Sequence, residues 1–93
     1  MNALLFAAIV ATMPNQTGGA VTLTDDWTNA CPRAEHVAYA RAETGHTTWG
    51  CWRVEEGLVH ITWRFTSGRR VHNIYDLDRF TLRRPLPVGG SRA

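Results

Sequence analysis

Two cysteines, Cys31 and Cys51, are the residues whose types and spacing point most directly to chemistry. Their spacing matches neither a CxxC redox motif nor a zinc-ligand pattern. Two such cysteines pair in an oxidising compartment and stay reduced in the cytosol. Cys51 lies between Gly50 and Trp52 in a predicted strand, which favours a structural role over a nucleophilic one. We therefore predict a Cys31–Cys51 disulfide, provided that the chain is exported.

Four histidines could bind a metal ion or transfer protons, but no two have i, i+4 spacing and no HExxH motif occurs. We expect them on different strands and turns, which predicts no metal site and no cofactor. The alternative is a site made from two histidines with Asp76 or Asp78. Only Ser67 and Ser91 are available as serine nucleophiles, one in a turn and one near the C-terminus. We therefore predict that the protein is not an enzyme. A small hydrolase or metal-dependent enzyme is the less favoured alternative. The histidines are His36, His46, His60 and His72.

Four side chains on one predicted sheet face form the candidate binding site. Tryptophan beside arginine is typical of surfaces that bind proteins or sugars. Trp49 is expected opposite Arg64, within reach of a cation–π contact. The alternative is that the N-terminal segment covers Trp49, which would make it a core residue. The candidate binding residues are Trp49, Arg53, His60 and Arg64.

Length and charge restrict the remaining possibilities. Ninety-three residues allow one domain with a marginal core. A disulfide adds a large share of the stability of such a domain. All the basic residues are arginine, the net charge is only +2, and these residues are spread along the chain. Nucleic-acid binding requires a concentrated basic surface, so it is not expected. The expected partner is another protein or an envelope component.

An unbroken apolar run of eight residues, 4–11, lies near the N-terminus. The run is too short to span a bilayer but has the length of a signal-peptide core, and Gly18-Gly19-Ala20 offers small residues for cleavage. We predict that residues 1–20 are a signal peptide or N-terminal arm and that the protein is periplasmic or secreted. A retained strand or helix, a retained membrane-surface anchor, and a virion-associated location are the alternatives.

Residues 12–20 are predicted to form a polar linker, followed by a short strand at 21–24 and a β-rich domain over 21–82. The fold class is mainly β, an antiparallel β-meander of about four strands with an N-terminal strand or arm. Segment 35–43 fits a helix or a strand. A turn centred on Thr44-Gly45 favours the strand, because it places Val37 opposite Trp52 and Tyr39 opposite Gly50 on one apolar face.

A second turn at Glu56-Gly57 extends the same apolar face. It places Val54 opposite Val59, Trp52 opposite Ile61 and Gly50 opposite Trp63. Gly50 is then expected to leave room for the rings of Tyr39 and Trp63. Both turn placements give the same face, which supports the meander.

The C-terminal third is less sharply defined by its pattern. In the last strand, 70–75, either Val71, Asn73 and Tyr75 or His72 and Ile74 face the core. Segment 76–80 is expected to turn and to bring Leu77 and Phe80 under the sheet. Prolines and glycines predict a flexible tail over 83–93.

The order of several short motifs resembles a group of small exported, uncharacterised proteins of proteobacterial phages and their hosts. The matching residues are Leu23-Thr24-Asp25, Cys31, Gly50-Cys51-Trp52, Val59-x-Ile61-x-Trp63, Tyr75 and Phe80. The resemblance covers about residues 21–80. It implies export and a disulfide, and it implies no activity. Together with the residues above, it predicts a non-catalytic exported interaction module that acts in the cell envelope; the alternative is a virion-associated structural component that retains its N-terminal arm.

Overall fold

A computed structural model describes residues 8–16 and 18–87 of the chain. These residues form seven strands and one 3-10 helix, Leu77–Arg79. The strands are β1 Ile9–Pro14, β2 Ala20–Thr24, β3 His36–Arg41, β4 Thr47–Glu55, β5 Leu58–Arg64, β6 Arg70–Asp76 and β7 Thr81–Leu82.

The strands form one antiparallel sheet in the order β6-β5-β4-β3-β2-β1-β7, curled into a half-barrel. The β-rich class and the meander over β3 to β6 are confirmed, and segment 35–43 contains strand β3, not a helix. The sheet has more strands than expected, because β1 and β7 extend it beyond the four-stranded meander and its predicted arm. The curled sheet has an inner face, which carries the core, and an outer face.

Strand β1 is made from the end of the N-terminal apolar run. Val10, Ala11 and Met13 are buried in the main core, and Thr12 lies opposite Thr22 of β2. The expectation of a polar linker starting at residue 12 is therefore wrong, because Thr12–Pro14 continue the strand. A continuous apolar run fits a buried strand, a helix or a signal-peptide core, so its pattern alone does not identify β1. Residues 1–7 and 17 of the predicted signal peptide lie outside the described residues.

The predicted register is correct for the β4–β5 hairpin and wrong for the β3–β4 hairpin. Val54 faces Val59 across Glu56-Gly57, as expected, and both turn residues have positive φ, at 56° and 77°. Such a two-residue turn fixes the register. Between β3 and β4 the predicted register is wrong by one residue, since Val37 faces Cys51 instead of Trp52.

The one-residue shift comes from the loop between β3 and β4. Ala42 N–H donates to the His46 carbonyl, so three residues and not two lie inside the loop. Gly45 closes this loop with a φ of +96°, a conformation that glycine adopts without strain. The shift moves Val37 and Tyr39 to the outer face, and it places Ala38 opposite Gly50 on the inner face.

The inner face carries a single large core with Trp52 at its centre. The indole N–H of Trp52 donates to the Thr24 carbonyl at 2.8 Å, so this buried polar group is paired. Gly50 faces Trp63, as predicted, but not Tyr39. A Cβ at Gly50 would collide with the backbone carbonyl of Thr62, so glycine here permits close approach of two strands.

The segment after β5 adds β6 to the sheet and then packs Phe80 against the core. Val71, Asn73 and Tyr75 take the inner face of β6, which resolves the open register of that strand. Phe80 is buried and meets Tyr75 edge-on, as expected for a segment that turns under the sheet. Of the predicted tail, Arg83 N–H donates to the Val10 carbonyl, and residues 88–93 lie outside the described residues.

Candidate functional site

The Cys31–Cys51 disulfide is present and joins the loop between β2 and β3 to the outer face of β4. Its Cα atoms are 5.7 Å apart, and the two cysteines are 20 positions apart in sequence. Both sulfur atoms are bonded, so neither is available as a thiolate. With Val37 and part of Trp49, the disulfide forms a second, small hydrophobic cluster on the outer face.

Trp49 is half-buried and packs on this disulfide cluster, so it is neither a core residue beneath the N-terminal segment nor fully exposed. Arg64 lies directly opposite on β5, and its guanidinium carbon is 5.6 Å from the centroid of the Trp49 ring. This is the cation–π contact that the sequence predicts. In the described part of the chain, the Arg64 side chain has no ion pair or hydrogen bond, and its buried Nε has no partner.

A groove of about 430 Å³ lies on the side of Trp49 away from Arg64. We call it the Trp49 groove. A smaller hollow of about 160 Å³, lined by Arg64 and Phe65 among others, lies on the other side of Trp49. The indole therefore separates two recesses and presents surface to both. The residues that line the Trp49 groove are Thr28, Ala30, Val37, Tyr39, Thr47 and Trp49.

Tyr39 is the functional candidate that sequence reasoning missed. It faces Trp49 directly across β3 and β4 and is 37% exposed. The prediction placed Tyr39 on the core face because it allowed one residue too few in the loop before β4. The available signal was Gly45, because a glycine at the end of a short loop is typical of a three-residue hairpin turn.

The other two predicted residues, Arg53 and His60, form a separate group. Arg53 is four positions from Trp49 along β4, which corresponds to about 13 Å. It makes ion pairs with Glu35 at 3.0 Å and with Glu55 at 3.4 Å. The predicted four-residue site is thus two pairs: Trp49 with Arg64, and Arg53 opposite His60.

His60 belongs to a short chain of polar contacts on the outer face. Its Nδ1 is 3.2 Å from His72 Nε2, and His72 Nδ1 is 3.0 Å from the Thr62 hydroxyl. The pKa of His60 is lowered, first by partial burial and next by the positive charge of Arg53 and by His72. The carboxylates of Glu55 and Glu35 oppose this shift more weakly.

The open side of the half-barrel contains a cavity that the sequence did not predict. Its volume is about 610 Å³, and it lies between the end of β1 and the inner face of β6. Trp63, Asn73 and Tyr75 line one side, and Met13 and Pro14 line the other. Because the cavity exists only where distant strands fail to close the barrel, no local sequence pattern marks it.

Residues 8–16 and 18–87 contain no group of three or more His, Cys, Asp or Glu side chains arranged to hold a metal ion. Over the same ranges, no helix has the length and apolar character needed to cross a bilayer. The chain matches no family model, no curated protein and no solved structure.

Proposed function

We propose that this chain is a non-catalytic binding module of an oxidising compartment and that it binds another protein through the Trp49 groove. The observation that carries the proposal is the arrangement of Tyr39 and Trp49 around an open apolar recess beside the disulfide. Partly buried aromatic side chains in a recess are the residues that contribute most to protein–protein binding. The disulfide supports the location, because such bonds persist in oxidising compartments.

The chemistry of the groove defines the kind of segment it fits. Its walls are aromatic, aliphatic and hydroxyl side chains, and the described residues that line it carry no charge. The guanidinium of Arg64 lies on the other side of the Trp49 ring without an anionic partner in the described chain. An extended peptide with an apolar side chain in the groove and a carboxylate close by would satisfy both features.

The test uses a displayed library of random peptides, selected on the intact oxidised protein. We expect enriched sequences that combine an aromatic or large aliphatic residue with Asp or Glu. Tyr39→Ala is the informative variant, because Tyr39 lines the groove but does not belong to the disulfide cluster. Trp49→Ala would also remove packing from Cys31 and Cys51. Enriched peptides should bind Tyr39→Ala about tenfold or more weakly than the wild type.

Leu82→Ala is the control, because Leu82 is an exposed apolar residue of β7 that does not line the groove. We expect it to leave the affinity of the enriched peptides unchanged. The proposal is wrong if the library yields no binders, or if its binders tolerate Tyr39→Ala as well as Leu82→Ala.

The proposal extends to the place where the module acts. Its resemblance to exported proteins of phages and their hosts supports action in the cell envelope. The lack of a thiolate, with both cysteines bonded, supports a binding role over cysteine-based catalysis.

A second candidate is a virion-associated structural component that retains its N-terminal segment. The observation in its favour is β1, whose side chains Val10, Ala11 and Met13 are part of the core. Cleavage after Ala20 would remove all three, so the folded form described here requires a retained strand. An intact-mass measurement on protein from its native source tests this candidate: a chain that begins at Met1 supports a retained β1, and a chain that begins at Val21 contradicts it.

A further inference from the structure

Strand β6 forms one edge of the sheet, because within the described residues it pairs only with β5. It is seven residues long and its side chains alternate between exposed and half-buried. Ile74 is 53% exposed on its outer face. A long edge strand without a proline or a bulge can pair with another strand, and natural proteins usually protect such edges.

The hydrogen-bond pattern shows which backbone groups of β6 point away from the sheet. Leu77 N–H donates to the Gly57 carbonyl, and Phe65 N–H donates to the Arg69 carbonyl. These bonds lie at the two ends of the β5–β6 ladder. Because hydrogen-bonded pairs alternate along an antiparallel ladder, Val71, Asn73 and Tyr75 bond to β5. The N–H and C=O groups of Arg70, His72, Ile74 and Asp76 therefore point outward.

The charges at the two ends of β6 are unpaired in the described chain. Neither Arg70 nor Asp76 forms an ion pair there. Arg70 instead lies directly opposite Arg64 of β5, a like-charge pair that destabilises the strand pairing. An anionic group on the free side of Arg70 would offset this repulsion.

We propose that the β6 edge pairs antiparallel with β6 of a second copy of this chain, about a twofold axis at Asn73. In this register Arg70 faces the second copy's Asp76, and His72 faces the second copy's Ile74. Arg70, His72, Ile74 and Asp76 all have outward N–H and C=O groups. In this register they face one another, so their backbone groups can form the hydrogen-bonded pairs of an antiparallel ladder. The symmetry repeats each pair, so both arginines gain a carboxylate opposite them.

Self-pairing joins two seven-stranded sheets edge to edge into one continuous sheet. Trp49 is on β4, two strands from the edge, or about 10 Å. The Trp49 groove opens on the β3 side of that residue and remains free in the pair. The dimer therefore presents two grooves at once, and a partner with two binding segments would bind it more tightly than one with a single segment.

A charge exchange tests the register directly. Arg70→Asp and Asp76→Arg each turn two attractive pairs per dimer into two repulsive ones, so each should weaken dimerisation about tenfold in sedimentation equilibrium. The double variant restores opposite charges at every facing position, and we expect its dimer constant to return to that of the wild type. Asp76 makes no side-chain capping hydrogen bond, so its replacement leaves the 3-10 helix intact.

Ile74→Pro tests whether dimerisation uses the backbone of the β6 edge, and it changes no charge. The Ile74 N–H points outward, so proline removes no hydrogen bond within the sheet but blocks a second strand. Thermal melts confirm that each variant folds. The proposal is overturned if the wild type stays monomeric up to high concentration, if Ile74→Pro dimerises as the wild type does, or if the double variant remains as weak as the single ones. None of these measurements involves a groove ligand, so they succeed or fail separately from the proposed function.

Discussion

The guanidinium carbon of Arg64 lies 5.6 Å from the centroid of the Trp49 ring, and the two residues face each other across β4 and β5. This contact occupies one side of the indole, while the Cys31–Cys51 disulfide packs against it from β4. The ring is thereby supported on two sides and keeps part of its surface on the Trp49 groove. A supported aromatic side chain loses little conformational entropy when it binds a partner.

The disulfide is expected to contribute a large share of the stability. Replacement of both cysteines, Cys31→Ser with Cys51→Ser, should lower the free energy of unfolding by about 3 kcal/mol, because the closed loop restricts the unfolded chain. Urea unfolding of oxidised wild type and double variant measures the difference. Equal midpoints for the two proteins would show that the bond adds nothing to the fold.

The N-terminal strand should be indispensable to the folded domain. A chain that begins at Val21 lacks β1 and exposes the core surface that Val10 and Met13 cover. We expect it to lose the cooperative thermal transition of the full chain, as followed by circular dichroism. Val10→Asp, which buries a charge in place of a fully buried valine, should have the same effect in the full-length chain. Cooperative melting of both variants at the wild-type temperature would contradict this role for β1.

The indole hydrogen bond in the core offers a cleaner test of packing. Trp52→Phe keeps an aromatic ring but leaves the Thr24 carbonyl without its 2.8 Å partner. Loss of volume and an unpaired buried acceptor together should cost about 2–4 kcal/mol. Trp27→Phe, at an exposed position, is the control and should cost under about 1 kcal/mol. Similar costs for the two changes in urea unfolding would contradict the assigned burial of Trp52.

Stability should decrease on mild acidification because of His60. Its pKa in the folded protein is below 6.5, so the unfolded chain takes up a proton more readily. The stabilisation is therefore complete above about pH 6.5, the usual histidine pKa, and is lost as the pH falls through the lower folded value. His60→Gln should show a smaller drop in urea midpoint between neutral and acidic pH than the wild type, and His46→Gln, in an exposed turn, should not. A larger drop in His60→Gln would contradict the direction of the shift.

The parts of the fold that local turn chemistry fixes could be predicted from sequence. Glu56-Gly57 closes a two-residue turn, so Val54 and Val59 were paired correctly, and Trp49 and Arg64 followed from that register. Gly45 closes a three-residue loop instead, and this single extra residue reversed the faces of Val37 and Tyr39. The two-residue periodicity of a strand turns any such error into a complete exchange of faces.

Features that depend on distant strands could not be predicted in this way. The apolar run that supplies β1 has the composition of a signal-peptide core, and only its pairing with β2 shows it as a strand. β7 has two residues and exists because the chain returns to Ala11 and Thr12. The Trp49 groove likewise requires the disulfide loop to lie beside Tyr39, a relationship between residues of three separate segments.

The most direct test of the proposed binding site follows the indole N–H signals of the four tryptophans by NMR during titration with a library-selected peptide. The account predicts that the Trp49 signal shifts progressively. The Trp52 signal should stay in place, because its N–H is bonded to Thr24 in the core. Trp63, which lines the cavity at the open side of the half-barrel, should not respond either. A shift of the Trp63 signal with Trp49 unmoved would assign binding to that cavity and contradict a site at the Trp49 groove.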